Sequence, residues 1–359
     1  MVEWTIACAS RARRCALRMM DSPVRNNCRA AHRCEARPET GDISMSFLVE
    51  QPRELFPEDA LDGLDTTAKD FKLENAQALM WMSQLAYETA HEGKVNDILK
   101  AWGMTRLAFG SNDPVTGLPA KSACFVVAEG HGATIVSFSG TDPLKINDWI
   151  KDFTLAPEPN VLHLGFTTAI DAVWPIVEAA IKRRTEQPLF FTGHSMGAAL
   201  ALLGAERALN RASITPTAVY TFGSPRTGGL DFFNSYATLG DKTFRLVHGH
   251  DIVATVPPSA NGNFRHVGRL LHCGSGERFA GLTPAPSDQN QPDLDIGFLA
   301  ANGFANVAAV IGEIKALRQT GLIASVGARL LGPPTNALPS IVRDHIPTSY
   351  FQALSIPLE

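Results

Sequence analysis

The spacing of apolar positions changes along the chain, and this change separates predicted helices from predicted strands. Between about residues 66 and 106 the pattern has the 3.6-residue period of a helix. Its stripe consists of Phe71, Asn75, Leu79, Met82 and Ala86. Further on, short apolar runs predict strands at 123–128, 133–138, 189–191, 219–222 and 244–247. Helical stretches are expected between them, at 142–153, at 167–182 and at 198–203. Alternating strands and helices predict an α/β fold with a mostly parallel sheet covered by helices on both faces.

The first 44 residues differ in composition from the rest of the chain. They contain eight Arg, no Lys, five acidic residues and four of the six Cys, with no apolar periodicity. We therefore expect a disordered extension over 1–44 and a single globular domain over 45–359. No apolar segment follows a basic start, so a secretory signal is not predicted. The expected location is cytoplasmic, with an extracellular one as the alternative.

Composition and charge exclude several classes of protein. With a net charge of −4 over 359 residues, the chain has no global basic field to attract nucleic acid. No stretch reaches 18 apolar residues, so no transmembrane segment is predicted. The spacing of the N-terminal cysteines is not that of a zinc knuckle, and the sequence lacks a metalloprotease helix, a P-loop and a complete dinucleotide fingerprint. We expect neither a metal nor an organic cofactor.

One motif points to a nucleophile. Gly193-His194-Ser195-Met196-Gly197 follows an apolar run and precedes a helix-forming run, which is typical of a nucleophile elbow. Such an elbow presents the serine Oγ on a strained turn. Gly193 and Gly197 fit this turn because larger side chains at these positions would collide. The elbow also predicts the backbone N–H of Met196 as one oxyanion donor. A plain glycine-rich turn with a surface serine is the alternative, since G-x-S-x-G is a short pattern.

A serine needs a base, and the base needs an orienting acid. In the α/β-hydrolase chain order the acid and then the histidine follow the serine. Asp251 is the best acid because it comes directly after a predicted strand, at the sheet edge where the elbow also opens. Of the ten histidines, only His266, His272 and His345 lie beyond it, and the residues alone leave the choice among them open.

A series of motifs in this order resembles the class 3 lipase family. They are Val136-Ser137-Phe138-Ser139-Gly140-Thr141, Asp148-Trp149, Asp152-Phe153, His163-Leu164-Gly165-Phe166, the elbow, Phe222-Gly223-Ser224-Pro225-Arg226-Thr227-Gly228, Asp251-Ile252-Val253 and His266-Val267-Gly268. The resemblance implies an α/β-hydrolase fold. It also implies His345 as the general base, because the family's base lies near the C-terminus in a context like Asp344-His345-Ile346-Pro347-Thr348-Ser349-Tyr350. His266 is the rival, and a packed histidine is the preferred interpretation of it.

The resemblance adds a second oxyanion donor and a lid. By similarity, the backbone N–H of Thr141 is the other donor. The segment 142–155 is the candidate lid and substrate-binding helix, with its apolar stripe on Ile146, Trp149, Ile150 and Phe153. A helix docked permanently on the core needs the same stripe and is an equal alternative. The segment 282–335 is a candidate helical cap facing the acyl chain, although core packing is the simpler interpretation.

The function expected from these residues is that of a lipase. A serine carboxylic-ester hydrolase would act on an ester or lipid, most simply a triacylglycerol, at a lipid–water interface through an acyl-enzyme. Phospholipase A1 and short-chain carboxylesterase activities are alternatives that use the same triad. An inactive lipid-binding homologue is the non-enzymatic alternative. The sequence leaves the oligomeric state and the acyl-chain length open.

Overall fold

The computed structural model describes residues 50–111, 123–140, 159–185, 188–257, 264–285 and 340–357, with side chains from 164 onward in the third range. Three expectations fall outside these residues. They concern the disordered extension 1–44, the lid 142–155 and nearly all of the cap 282–335.

Over the residues that the structure describes, seven strands form one sheet in chain order. The first two pairs are antiparallel and the other four are parallel, which confirms the expected mostly parallel sheet. The strands are β1 (Thr105–Ser111), β2 (Cys124–Gly130), β3 (Ala133–Phe138), β4 (Leu189–His194), β5 (Ala218–Phe222), β6 (Thr243–His248) and β7 (Arg269–Cys273). Because β3 to β7 run parallel, their carboxyl ends share one edge of the sheet.

Helices cover both faces of this sheet, as predicted. They are α1 (Leu73–Leu85), α2 (Glu92–Ala101), α3 (Pro159–Arg183), α4 (Met196–Asn210), α5 (Leu230–Ser235), α6 (Ser340–Arg343) and α7 (Pro347–Ala353). Short 3-10 turns lie at Arg53–Leu55, Ala86–Glu88, Ala237–Lys242 and Val253–Thr255.

Strand β4 begins with a continuous apolar run, and the packing on its two faces explains why. Its residue Phe191 packs into the layer formed with α3 and α4, whereas Phe190 packs into the layer formed with α1, α2 and α7. Both side chains are buried, so neither face of this central strand is exposed to solvent. The result is a sheet held between two apolar layers, with the polar site residues at its carboxyl edge.

Several elements differ from the expectation or were not foreseen, among them the short helices α5, α6 and α7. Helix α3 begins at Pro159, eight residues before the predicted start at 167. Strands β1 and β7 were not predicted. Within the described chain, Leu164–Arg183 of α3 is long and apolar enough for a membrane span, but half of it is buried inside the molecule. Buried core helices also pass that test.

Candidate active site

Ser195 stands on a strained turn between β4 and α4. Its φ of 61° and ψ of −130° lie outside the regions that a serine normally occupies. A methyl group on Gly193 would collide with the backbone of Gly197, and one on Gly197 would collide with the carbonyl of Phe138. The elbow therefore closes only with glycine at both positions, which is the geometry that the motif predicts.

Asp251 and His345 meet Ser195 although they are distant in the sequence. His345 Nδ1 lies 2.8 Å and 2.9 Å from the two carboxylate oxygens of Asp251, so this nitrogen donates. His345 Nε2 lies 2.9 Å from Ser195 Oγ and is left to accept the hydroxyl proton. All three side chains are buried. The structure thus brings together the three residues that the sequence put forward as nucleophile, base and acid.

The carboxylate of Asp251 is held by more donors than the imidazole alone. The hydroxyl of Tyr350 donates to Oδ2 at 2.6 Å and the backbone N–H of Val253 donates to Oδ1 at 2.8 Å. Burial by itself raises the pKa of Asp251, but the charge of His345 and the hydrogen bonds from His345 and Tyr350 outweigh it, so the pKa lies below its ordinary value. Asp251 is therefore ionised at neutral pH and faces the imidazole as an anion.

Tyr350 is a residue of this site to which sequence reasoning gave no role. It lies in α7, just after His345, and its hydroxyl also accepts the backbone N–H of His248 at 3.2 Å. Burial and the neighbouring Asp251 raise the pKa of Tyr350 well above its usual value, so it stays a donor. Its position five residues after the base was visible, but nothing local shows that it reaches across to β6.

The other histidines beyond Asp251 have different partners. His266 Nε2 lies 2.8 Å from the carbonyl of Ala254, and His272 Nε2 lies 2.9 Å from the carbonyl of Gly249. Burial, together with the charges of Arg245 and Arg226, lowers the pKa of His266 well below its usual value. Within the described residues neither ring is hydrogen-bonded to Ser195 or Asp251.

The oxyanion donors are only partly within the described residues. Met196 directly follows Ser195 as the first residue of α4, which is the position that a nucleophile elbow gives to one oxyanion donor. Thr141 and the stripe of the candidate lid (Ile146, Trp149, Ile150 and Phe153) lie outside the described residues. Gly140, just before Thr141, lies against Ser195, since a methyl group on it would come within 2.6 Å of Ser195 Cβ. Over the described ranges no cluster of His, Cys, Asp or Glu suits a metal ion.

Fold and site together define a class: an α/β-hydrolase fold whose sheet edge joins a serine, an imidazole and a carboxylate by hydrogen bonds. The solved structure of a triacylglycerol lipase with a serine protease triad shares this fold, with a TM-score of 0.50 and 23% identity. The match covers 63% of this chain and 89% of that one. At this identity the likeness speaks for the fold alone, and it confirms the expected fold class.

The comparisons with known sequences agree with the site. Residues 135–261 match the family Lipase (class 3), the family that the motifs of the chain resemble. A secreted mono- and diacylglycerol lipase of Fusarium solani is 34% identical over 191 residues, which are 50% of this chain and 52% of the relative. A chloroplastic phospholipase A1 of Arabidopsis thaliana is 39% identical over 79 residues, 20% of this chain and 15% of that protein. The chain thus spans about half the length of the first of these relatives.

Proposed function

We propose that the protein is a lipase that hydrolyses the carboxylic esters of acylglycerols through Ser195, His345 and Asp251. The observation that carries this proposal is the unbroken hydrogen-bonded series from the Asp251 carboxylate through both ring nitrogens of His345 to Ser195 Oγ. A serine hydroxyl is a weak nucleophile unless a base takes its proton, and this series supplies that base. The relationship to class 3 lipases supports the choice of ester substrate.

The proposed reaction assigns a role to each residue of the site. Ser195 Oγ attacks the ester carbonyl while its proton moves to His345 Nε2, and the ionised Asp251 stabilises the imidazolium. The backbone N–H of Met196, with that of Thr141 as the second donor, binds the oxyanion of the tetrahedral intermediate. The imidazolium then protonates the leaving alcohol, which leaves an acyl group on Ser195. Water, deprotonated by His345, releases the fatty acid and restores the serine.

The substrate class is a finer part of the proposal. We take triacylglycerol as the first substrate to test, with mono- and diacylglycerols next because the Fusarium solani relative carries those substrates in its name. Phospholipase A1 activity is the second candidate, and the similarity to the Arabidopsis thaliana phospholipase A1 is the observation that favours it. Both activities use the same triad, so the difference lies in the acyl and headgroup pockets.

An active-site label and a substrate series test this proposal together. A fluorophosphonate is expected to label the wild-type chain at one site and to leave Ser195→Ala unlabelled, because only an activated serine reacts. Hydrolysis is then compared among p-nitrophenyl esters of graded chain length, emulsified acylglycerols and phosphatidylcholine vesicles. Preference for acylglycerol supports the lipase, and preference for the sn-1 ester of phosphatidylcholine supports the phospholipase. A folded wild-type chain that is neither labelled nor active would be the lipid-binding homologue.

A further inference from the structure

His194, the residue between Gly193 and the nucleophile, has no step in the proposed reaction, yet both of its ring nitrogens are engaged. Its Nε2 lies 2.7 Å from the backbone carbonyl oxygen of His345, and its Nδ1 lies 2.7 Å from the hydroxyl of Tyr87. A carbonyl oxygen can only accept, so Nε2 carries the proton. Nδ1 is then an acceptor, and the Tyr87 hydroxyl donates to it. The bonding pattern fixes one neutral tautomer of His194.

The surroundings of His194 keep it neutral while the neighbouring ring changes charge. Burial, and next the charge of His345, lower the pKa of His194 to about 3. The two imidazole rings lie 4.7 Å apart between centroids and are inclined by 31°. A charged His194 would repel the imidazolium that forms on His345 during attack. A neutral ring with a fixed tautomer avoids that repulsion and still donates a hydrogen bond.

The bond from His194 holds the backbone of the base rather than its ring. His345 lies in the short connection between α6 and α7, with its N–H bonded to the carbonyl of Val342 at 3.1 Å. The carbonyl of the same residue accepts from His194 Nε2. Because the ring of His345 follows its backbone, a shift of this carbonyl moves Nε2 away from Ser195 Oγ. Displacements of about 1 Å in such sites cost on the order of 100-fold in rate.

Tyr87 connects the hydrogen bond between His194 and the His345 carbonyl to other segments of the site. It lies in the buried 3-10 turn Ala86–Glu88 that follows α1. A methyl group on Gly140 would collide with the Tyr87 hydroxyl and would also press on Ser195. The hydroxyl is therefore packed between the segment that leads to Thr141 and the ring of His194. Three segments of the site, the end of β3, the elbow and the connection carrying His345, meet at this pair of side chains.

We propose that Tyr87 and His194 are positioning residues, which hold the backbone of His345 at the distance from Ser195 that proton transfer requires. The inference rests on the proposed function, since it assigns His345 the role of base. It requires no contact between either residue and the substrate. We therefore expect that loss of the hydrogen-bond donor at the position of His194 Nε2 lowers kcat and leaves the affinity for substrate unchanged.

A matched pair of substitutions isolates that donor. In His194→Gln the amide NH2 reaches the position of Nε2 and still donates to the His345 carbonyl, whereas in His194→Asn the shorter amide reaches only the position of Nδ1. We expect His194→Asn to lower kcat for a soluble short-chain ester about 100-fold with KM changed less than about twofold. His194→Gln is expected to stay within about fivefold of wild type. Tyr87→Phe, which keeps the ring, is expected to lose about three- to tenfold in kcat.

The controls separate this inference from the proposed function. Fluorophosphonate titration and thermal unfolding give the fraction of folded, competent chains for each variant. If folded His194→Asn keeps its kcat within threefold, or if His194→Gln is as impaired as His194→Asn, the positioning role is overturned while the hydrolase stands. A wild-type chain without labelling or activity fails the proposed function instead.

A spectroscopic measurement on the wild-type chain is independent of how the variants fold. Long-range proton–nitrogen NMR spectra of labelled histidine are expected to show His194 neutral, with its proton on Nε2, at pH 5. A proton on Nδ1, or a charged ring at that pH, would contradict the arrangement whatever the activity of the variants.

Discussion

Three histidines follow Asp251 in the chain, and the surroundings of two of them, His345 and His266, give these two opposite characters. His345 faces the carboxylate of Asp251 on one side and the hydroxyl of Ser195 on the other. His266 faces two cationic side chains, Arg245 and Arg226, which together with burial lower its pKa well below the usual value. An imidazole can act as a general base only where its protonated form is stabilised. The charge of the neighbours distinguishes the two histidines, whereas their distance along the chain from Asp251 does not.

The region of His266 contacts the turn that follows Asp251. Its ring bonds to the carbonyl of Ala254, in the 3-10 turn Val253–Thr255 that comes just after Asp251. Arg226 donates to the carbonyl of Thr255, the last residue of this turn, and to that of Pro257. We therefore interpret this cationic region as shaping the turn that carries the acid, while His345 takes the proton.

Removing the negative charge of Asp251 should have the largest effect on the difference between His345 and His266. In Asp251→Asn the imidazole loses the anion that stabilises its protonated form and fixes its tautomer, so kcat for a p-nitrophenyl ester is expected to fall about 10⁴-fold. The matched control is Asp344→Asn. Its carboxylate directly precedes His345 but accepts from the backbone N–H of His250 and from the Ser275 hydroxyl, not from the ring. It should lose less than tenfold, and equal losses would contradict the assignment.

The Tyr350 hydroxyl gives a separate test of the Asp251 carboxylate. It donates to this carboxylate and not to the ring nitrogens of His345. Tyr350→Phe removes a hydrogen bond to an anion and leaves the His248 N–H without this acceptor. The free energy of unfolding, measured with urea, is expected to fall by about 1.5–3 kcal/mol. Tyr236→Phe serves as the neutral control, since Tyr236 pairs with the Thr243 hydroxyl at 2.9 Å. It should cost about 0.5–1.5 kcal/mol, and the reverse order would show that Asp251 is not the charged partner.

A third histidine, His194, is expected to give the smallest effect. This effect is on the pH dependence of the free energy of unfolding. The pKa of His194 is lowered from 6.5 to about 3 in the folded chain, so below pH 6.5 only the unfolded chain takes up this proton. Stability is then lost as the pH falls, by up to about 1.4 kcal/mol per pH unit. In urea titrations at pH 7, 6, 5 and 4.5, His194→Gln should lack this part of the slope. His266 contributes equally in both chains, so a variant with the wild-type slope would refute a neutral His194.

Much of the nucleophile's setting could be predicted because it is local. The elbow needs a strand end, two glycines and a helix start, all within a few residues, and β4, Gly193, Gly197 and α4 follow that plan. Asp251 was predictable from its place after an apolar strand. Alternation of apolar runs likewise predicted the parallel core of the sheet.

The remainder depends on contacts that no local pattern encodes. Tyr350 reaches Asp251 across 99 residues, and Tyr87 reaches His194 across 107. The choice of His345 came from the resemblance to a family, because its distance from Asp251 carries no signal. Strands β1 and β7 were missed since β1 has no fully buried residue and β7 has only two, Leu271 and Cys273. Weak amphipathicity and short length leave such edge strands without a clear period.

The most direct test of the account compares His345→Ala with His266→Ala in the same ester hydrolysis assay, with folding verified by thermal unfolding. We expect His345→Ala to lose at least about 10⁴-fold in kcat, because Ser195 is left without a base. Folded His266→Ala should keep kcat within about tenfold, since it loses only a support of the turn after Asp251. Full activity in His345→Ala, together with loss of activity in folded His266→Ala, would contradict the assignment of the base.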